Sequence, residues 1–261
     1  MKVGLIQLNA GTDKATNIIR ACSLVQKAIE AGADFILLPE VFNYRGPLSG
    51  SELYHQIAEE IPGKSIIPFM EMAKKNAVHI LAGSIYERKL GGKKIYNTSV
   101  MIDDSGNIIG KYRKINLFKA VIDGQKIDES ETYEHGKEPV LCGIKDKKIG
   151  LSICFDLRFP ELYRNYFKKK VDLIVIPSSF SQKTGELHWK PLLRARAIEN
   201  YCYVLAPNQF GIDGNGVETY GNSMVIDPQG RVIATLEKKR EDILIVDLIL
   251  KERVFYPLVQ A

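Results

Sequence analysis

A cysteine stands at the end of a short apolar run in Lys148-Ile-Gly-Leu-Ser-Ile-Cys-Phe-Asp-Leu-Arg-Phe-Pro-Glu161. Ile149 to Ile153 reads as a fully buried strand. Pro160 and Glu161 suit the first turn of a helix that Leu-Tyr-Arg-Asn-Tyr-Phe continues. Cys154 therefore falls between a strand end and a helix N-terminus, where backbone N–H groups and the helix dipole favour a thiolate or an oxyanion. The chemistry offered is nucleophilic attack by sulfur. The rival reading is a small buried apolar residue, the usual fate of a free cysteine, and the turn alone leaves both open.

Three further side chains bear on the choice. Glu40 leaves the apolar stretch Leu37-Leu-Pro-Glu-Val-Phe42, so partial desolvation would make it a stronger base, unless it simply ends the strand in solvent. Lys114 lies in Gly110-Lys-Tyr-Arg-Lys-Ile-Asn-Leu-Phe118; alternation puts it on one face with Tyr112 and puts Lys111 and Arg113 on the other. That makes Lys114 the inward ammonium of the group, although spacing by itself is a weak signal. Glu129 sits in Ile127-Asp-Glu-Ser130, where loop solvation is the plainer reading.

Arg158, four residues beyond Cys154, lies in an otherwise apolar Leu-Arg-Phe-Pro and offers a fork suited to a carboxylate. Pairing with Asp156 or Glu161 is the competing role. A papain-like Cys–His pair would need one of His55, His79, His135 or His188, and none has a recognisable thiol-protease setting. His79 reads as a core histidine, and His188, beside Trp189, as a pocket or packing residue. Lys183-Thr-Gly185 matches a β-lactamase motif but lacks its Ser-x-x-Lys partner.

These residues need strands and helices to hold them. Val3 to Leu8 and Asp34 to Leu38 read as buried strands around a helix from Thr16 to Ala31. A short turn over Leu53–Ile57, a helix over Ser65–Asn76 and a strand over Val78–Ser84 follow. Tyr96–Ile102 and Ile108–Tyr112 flank the turn Asp103-Asp-Ser-Gly-Asn107. Beyond the cysteine come a strand at Val171–Ile176, a helix from about Leu187 to Asn200 and a strand at Cys202–Ala206. A second hairpin pairs Ser223–Ile226 with Val232–Leu236, and Ile243–Asp247 closes the pattern. Two echoes link the halves: Ser99-Val-Met-Ile-Asp-Asp-Ser-Gly with Ser223-Met-Val-Ile-Asp-Pro-Gln-Gly, and Phe35-Ile-Leu-Leu-Pro with Leu173-Ile-Val-Ile-Pro. With no linker between them, the expectation is one domain over residues 1–261, with two sheets and helices outside.

The chain has 261 residues, 45% of them hydrophobic, which is enough for a sizeable core. The net charge of +5 is modest. Lys168-Lys169-Lys170 and Lys238-Lys239-Arg240 read as solvated element ends without interleaved aromatics, which argues against nucleic acid. No run is apolar enough for a membrane span, and the start does not resemble a signal peptide. Cys22, Cys142, Cys154 and Cys202 have no metal spacing and fit reduced thiols, so a cytoplasmic location is expected and the Asn97-Thr98-Ser99 sequon carries no weight.

Together, Leu-Pro-Glu, Tyr-Arg-Lys and Ser-Ile-Cys-Phe-Asp-Leu-Arg-Phe-Pro-Glu resemble the nitrilase superfamily of carbon–nitrogen hydrolases. The resemblance runs from the first strand to the Asp-Pro-x-Gly hairpin. His188-Trp-Lys-Pro-Leu-Leu-Arg-Ala-Arg-Ala-Ile-Glu-Asn200 and Glu218-Thr-Tyr-Gly-Asn-Ser-Met-Val-Ile-Asp-Pro228 look most like its amidase branch, which includes omega-amidases and deaminated-glutathione amidases. The resemblance implies an αββα sandwich, a homodimer or larger homo-oligomer, no metal or organic cofactor, and Glu40, Lys114 and Cys154 as a catalytic triad supported by Glu129.

On that basis Glu40 takes the thiol proton, Cys154 attacks an amide, and Lys114 with the Phe155 N–H holds the oxyanion. Ammonia leaves and water resolves a thioester. Arg158 matches an arginine that binds the substrate carboxylate in carbamoyl-amino-acid hydrolases, and His188 joins it as a candidate pocket residue. The expected substrate is a small amide carrying a carboxylate, with nitrile or N-carbamoyl hydrolysis as the alternative. Phe155-Asp156, where nitrile-cleaving relatives have Trp-Glu, favours the amide. A silent interaction protein would have no need of all three triad residues. Asn116, where the branch often has His, and Lys119, where an acid is common, bear on substrate preference.

Overall fold

Alternation along the first strands decides the layering. In the computed structural model, which describes residues 1–48, 56–88, 91–92, 94–122, 125–237 and 240–250, β1 (Lys2–Gln7), β2 (Phe35–Leu37), β3 (His79–Arg88), β4 (Ile95–Ile102) and β5 (Ile108–Arg113) lie side by side. β1, β2 and β3 are parallel, while β4 and β5 are antiparallel. Ile6, Ile36, Ile80 and Val100 turn outward onto α1 (Lys14–Glu30) and α2 (Ile67–Asn76), packing with Ala21, Val25, Ala28, Phe69 and Ala73. Asp13 caps α1 by accepting the Thr16 N–H at 3.1 Å.

The intervening residues Leu5, Leu37, Leu81 and Met101 turn inward onto the second sheet. After the ribbon β6 (Lys119–Ile122) and β7 (Gln125–Asp128), that sheet begins with β8 (Leu141–Ile144), β9 (Lys147–Leu151), β10 (Leu173–Val175) and β11 (Tyr203–Ala206). A small hairpin, β12 (Phe210–Ile212) and β13 (Glu218–Tyr220), precedes its last strands, β14 (Met224–Ile226) and β15 (Val232–Thr235). The helices α3 (Pro160–Lys168) and α4 (Lys190–Asn200) cover its outer side through Tyr163, Tyr166, Leu193 and Ala197. Helix, sheet, sheet and helix thus stack as the expected αββα sandwich.

β16 (Asp242–Asp247) returns to the edge of the first sheet, antiparallel to β1. The two sheets then read β16-β1-β2-β3-β4-β5 and β8-β9-β10-β11-β14-β15, the same pattern twice. Both sequence echoes fall at equivalent places in it. Pro39 follows β2 as Pro177 follows β10. The turns at Asp103 and Asp227 are also built alike: each aspartate Oδ1 accepts the N–H groups two and four residues on, at 2.7–3.0 Å.

Several boundaries differ from the sequence reading. The strand expected over Ile149–Ile153 ends at Leu151, because Ile153 and Cys154 turn their N–H groups to Asp156 and to the Pro177 carbonyl. The helix expected from Leu187 begins at Lys190, after a wide π-helical turn over Gly185–Trp189. β6, β7, β8, β12 and β13 carry too little apolar alternation to be read in advance. Most of the Leu53–Ile57 turn, His55 and the C-terminal Val254–Val259 lie outside the described residues. Among the described residues no helix is long and apolar enough to cross a membrane.

Candidate active site

Glu40 sits on the turn that leaves β2, and the turn is held from three sides. The Val41 N–H, at a left-handed φ of 44°, donates to Ser84 Oγ at 2.9 Å, and Gln209 Nε2 donates to the Glu40 carbonyl at 2.9 Å. Gly83 sits beneath it: a Cβ there would come within 1.9 Å of the Pro39 carbonyl oxygen, so no side chain fits. The Glu40 carboxylate is 4% exposed, and its Oε1 accepts Asn97 Nδ2 at 2.8 Å and Lys114 Nζ at 3.1 Å.

Lys114 follows β5 with its N–H on the Asn97 carbonyl at 2.8 Å. Tyr112 and Lys114 are buried while Lys111 and Arg113 are exposed, as strand alternation requires. Arg113 is tied outside by Glu87 at 2.7 and 2.8 Å. The ammonium, 1% exposed, lies between Glu40 and Glu129, whose Oε2 is 3.0 Å away and also accepts the Phe118 N–H at 2.7 Å. Burial opposes the Lys114 charge, yet Glu129 and Glu40 outweigh it and hold its pKa well above the usual lysine value. Burial raises the Glu129 pKa despite the lysine beside it.

Cys154 opens a 3-10 turn, Cys154–Arg158, in a left-handed conformation with φ 43°. Such strain in a non-glycine residue costs ~1–3 kcal/mol and clusters where side chains must be aimed. The helix-terminus argument for a thiolate fails here, because α3 begins six residues later and other forces dominate. Burial first, and then the Glu40 charge, push the thiol well above its ordinary pKa, against Lys114 and the Ser179 N–H. The resting sulfur is a thiol beside a carboxylate.

Asp156, two residues on, ties these parts together. It is fully buried and accepts four hydrogen bonds, from Tyr112 Oη (2.7 Å), Asn116 N (2.8 Å), Asn116 Nδ2 (2.9 Å) and Ile153 N (2.9 Å). Tyr112 and Asn116 flank Lys114, and Ile153 precedes Cys154. One carboxylate thus fixes the lysine strand to the cysteine turn.

Glu40, Lys114, Glu129 and Cys154 line a cavity of about 430 Å³, with Phe155 and Arg158 on another wall. Arg158 pairs with neither Asp156 nor Glu161. Its Nη2 is 3.2 Å from His188 Nδ1, and its guanidinium lies over the Phe180 ring at 5.2 Å. His188 sits behind Arg158 and does not line the cavity, and neither do His79 and His135, so among the described residues a Cys–His pair has no histidine there. Asn116 belongs to the Asp156 cluster, and Lys119 pairs with Asp128 at 3.0 Å. Neither Asn116 nor Lys119 is among the residues that line the cavity, though Phe118, beside Lys119, is. The sequence reading missed Asn97, Asp156, the stacked pair Tyr86 and Tyr133, and the buried ion pair Arg45–Asp213. Asn97 stood in plain view at the start of the polar run Asn97-Thr98-Ser99 within a strand; the others announce themselves only through partners distant in sequence.

A buried carboxylate–lysine–carboxylate cluster thus borders a strained cysteine at the strand ends of an αββα sandwich. The carbon-nitrogen hydrolase family model matches residues 2–256, and the chain belongs to that family, within the nitrilase superfamily. It is 38% identical to the deaminated glutathione amidase of Dictyostelium discoideum over 95% of this chain and 87% of that one. It is 37% identical to omega-amidase NIT2 of Mus musculus over 96% of this chain and 89% of that one. The crystal structure of Saccharomyces cerevisiae Nit3, a member of branch 10 of the superfamily, superposes with a TM-score of 0.86 at 31% identity, covering 100% of this chain and 95% of that one.

Proposed function

We propose that this carbon–nitrogen hydrolase is an amidase that releases ammonia from a small, carboxylate-bearing amide through a thioester on Cys154. The observation that carries the reading is the Lys114 ammonium held between Glu40 and Glu129 in the cavity that Cys154 lines. Glu40 removes the thiol proton as sulfur bonds to the amide carbon, and the carbonyl π pair moves onto oxygen. Lys114 Nζ and the Phe155 N–H stabilise that oxyanion. Its collapse breaks the carbon–nitrogen bond while Glu40 returns the proton to nitrogen, and ammonia departs. Glu40 then deprotonates water, which attacks the thioester, and the thiolate leaves and is reprotonated. Glu129 keeps the ammonium in place.

Arg158 supports the carboxylate. Its guanidinium has no acidic partner among the described residues, so a substrate carboxylate would meet no competitor. A screen of ammonia release over small amides, nitriles and N-carbamoyl amines tests the reading. Carboxylate-bearing amides should lead, Cys154→Ala and Glu40→Gln should abolish turnover, and Lys114→Met should lower kcat at least ~10²-fold. Arg158→Met should raise KM for carboxylate-bearing amides while sparing neutral ones. Equal loss on both would give Arg158 an architectural role, and nitriles turning over fastest would replace the amide assignment.

A further inference from the structure

Buried polar side-chain atoms in folded proteins almost always find partners, so orphans concentrated at one place call for an explanation. Among the described residues, six buried side-chain atoms have no hydrogen-bond partner, and those of Arg45, Asn97 and Ser179 belong to walls of the Cys154 cavity. Of these three, Arg45 is the charged one. It lies five residues beyond Glu40 on the connection that leaves β2, and it is 8% exposed. Its backbone is pinned at both ends: the N–H donates to the Gly11 carbonyl at 2.9 Å, and its carbonyl accepts the Gly214 N–H at 3.0 Å. Nη2 meets Asp213 Oδ2 at 2.7 Å, while Nη1 is shielded from bulk water and has no acceptor.

Asp213 cannot serve Nη1 as well. Its Oδ1 already accepts the N–H groups of Asn215 and Val217, at 2.8 and 2.9 Å, which shapes the loop between β12 and β13. The guanidinium is therefore held in place with its Nη1 amino group to spare. It comes from the first sheet, whereas Arg158 comes from the second, so the two arginines approach the cavity from separate connections.

We propose that Arg45 is a specificity residue that donates a hydrogen bond from Nη1 to a neutral oxygen, a hydroxyl or carbonyl, on the chain of the substrate. Neutral is favoured over anionic because Asp213 already balances the Arg45 charge, and a second carboxylate beside Asp213 would meet like-charge repulsion in a partly dry cavity. The inference rests on the amidase reading above and adds a second recognition point to Arg158.

The test compares succinamic and glutaramic acids with their hydroxy-substituted counterparts, measuring kcat/KM for ammonia release by the full chain. The parent should prefer the hydroxylated member at least ~10-fold, the scale set when a buried donor is left unpaired. Arg45→Met should bring the ratio close to one. Arg45→Lys, which keeps a charge for Asp213 and hence the loop, should also lose most of the preference, so a folding failure of the methionine variant leaves the test standing. A parent that hydrolyses both members equally, or variants that keep the preference, would overturn the role of Arg45 while leaving the amidase assignment intact. No ammonia from any amide would instead sink the amidase assignment itself.

Discussion

Replacing Asp156 by asparagine should separate the cysteine turn from the lysine strand, and the size of the effect can be worked from the four bonds the carboxylate accepts. An amide keeps one accepting oxygen, so the donors facing the other atom lose their acceptor. With Nδ2 toward Tyr112 and Ile153, two bonds go; turned the other way, both bonds from Asn116 go. A hydrogen bond to a charged group contributes ~1.5–3 kcal/mol, giving a gross loss of ~3–6 kcal/mol. Part of this is returned, since burial raises the Asp156 pKa and the neutral amide no longer carries that desolvation. A net cost of ~3 kcal/mol follows, or a melting temperature ~6–12 °C lower for a chain of this size. Slack of order 1 Å between sulfur and ammonium should lower kcat ~10²-fold. Calorimetry and ammonia release measure both. Tyr112→Phe removes one donor to the carboxylate and should cost ~1.5–3 kcal/mol, and the two changes should combine non-additively, because they act through one carboxylate. An Asp156→Asn protein within ~1 kcal/mol of the parent, with kcat within about twofold, would refute the clamp.

Further expectations concern Glu40, the thiol and assembly. Gly83→Ala places a methyl on the Pro39 carbonyl and must push the Glu40 turn aside; kcat should fall ~10²-fold with KM nearly unchanged, and an unaffected kcat would remove Gly83 from the account. Because the Cys154 pKa is raised, the protonated thiol prevails at neutral pH, and labelling by iodoacetamide should quicken steadily from pH 7 to 9. Rapid, pH-independent labelling between pH 6 and 8 would contradict a resting thiol. Light scattering at micromolar concentration should give at least twice the chain mass, and a monomer would remove the expected homo-oligomer.

The residues with local signatures were the legible ones. Strand alternation around Lys114 gave its inward direction because the pleat is a two-residue period that nothing distant can change, and Leu-Pro-Glu announced a strand end because proline stops the ladder. The two-sheet plan was legible through the internal echoes, and the αββα layering through the family resemblance; in the fold Ile36 and Leu37 face opposite sides, as the pleat requires. What escaped depends on partners far along the chain. Asp156 looks like a turn residue until Tyr112, 44 positions earlier, is found against it. Arg45 looks like a surface cation until a loop 168 positions later brings Asp213 to it. The thiol was misjudged because the dipole of a nearby helix was weighed without the desolvation that only the closed fold supplies.

The doubled sheet pattern divides the labour unevenly. Glu40 and Lys114 hang from the first sheet and Cys154 from the second, so neither half owns both the proposed proton acceptor and the proposed nucleophile. Ser178 occupies, after Pro177, the place that Glu40 holds after Pro39, and a hydroxyl cannot do that work at neutral pH. Turnover is thus a gauge of how the two halves are docked. A disturbance that slid the sheets by an ångström could leave every strand paired and every helix intact, and far-ultraviolet spectra unchanged, while the enzyme fell silent.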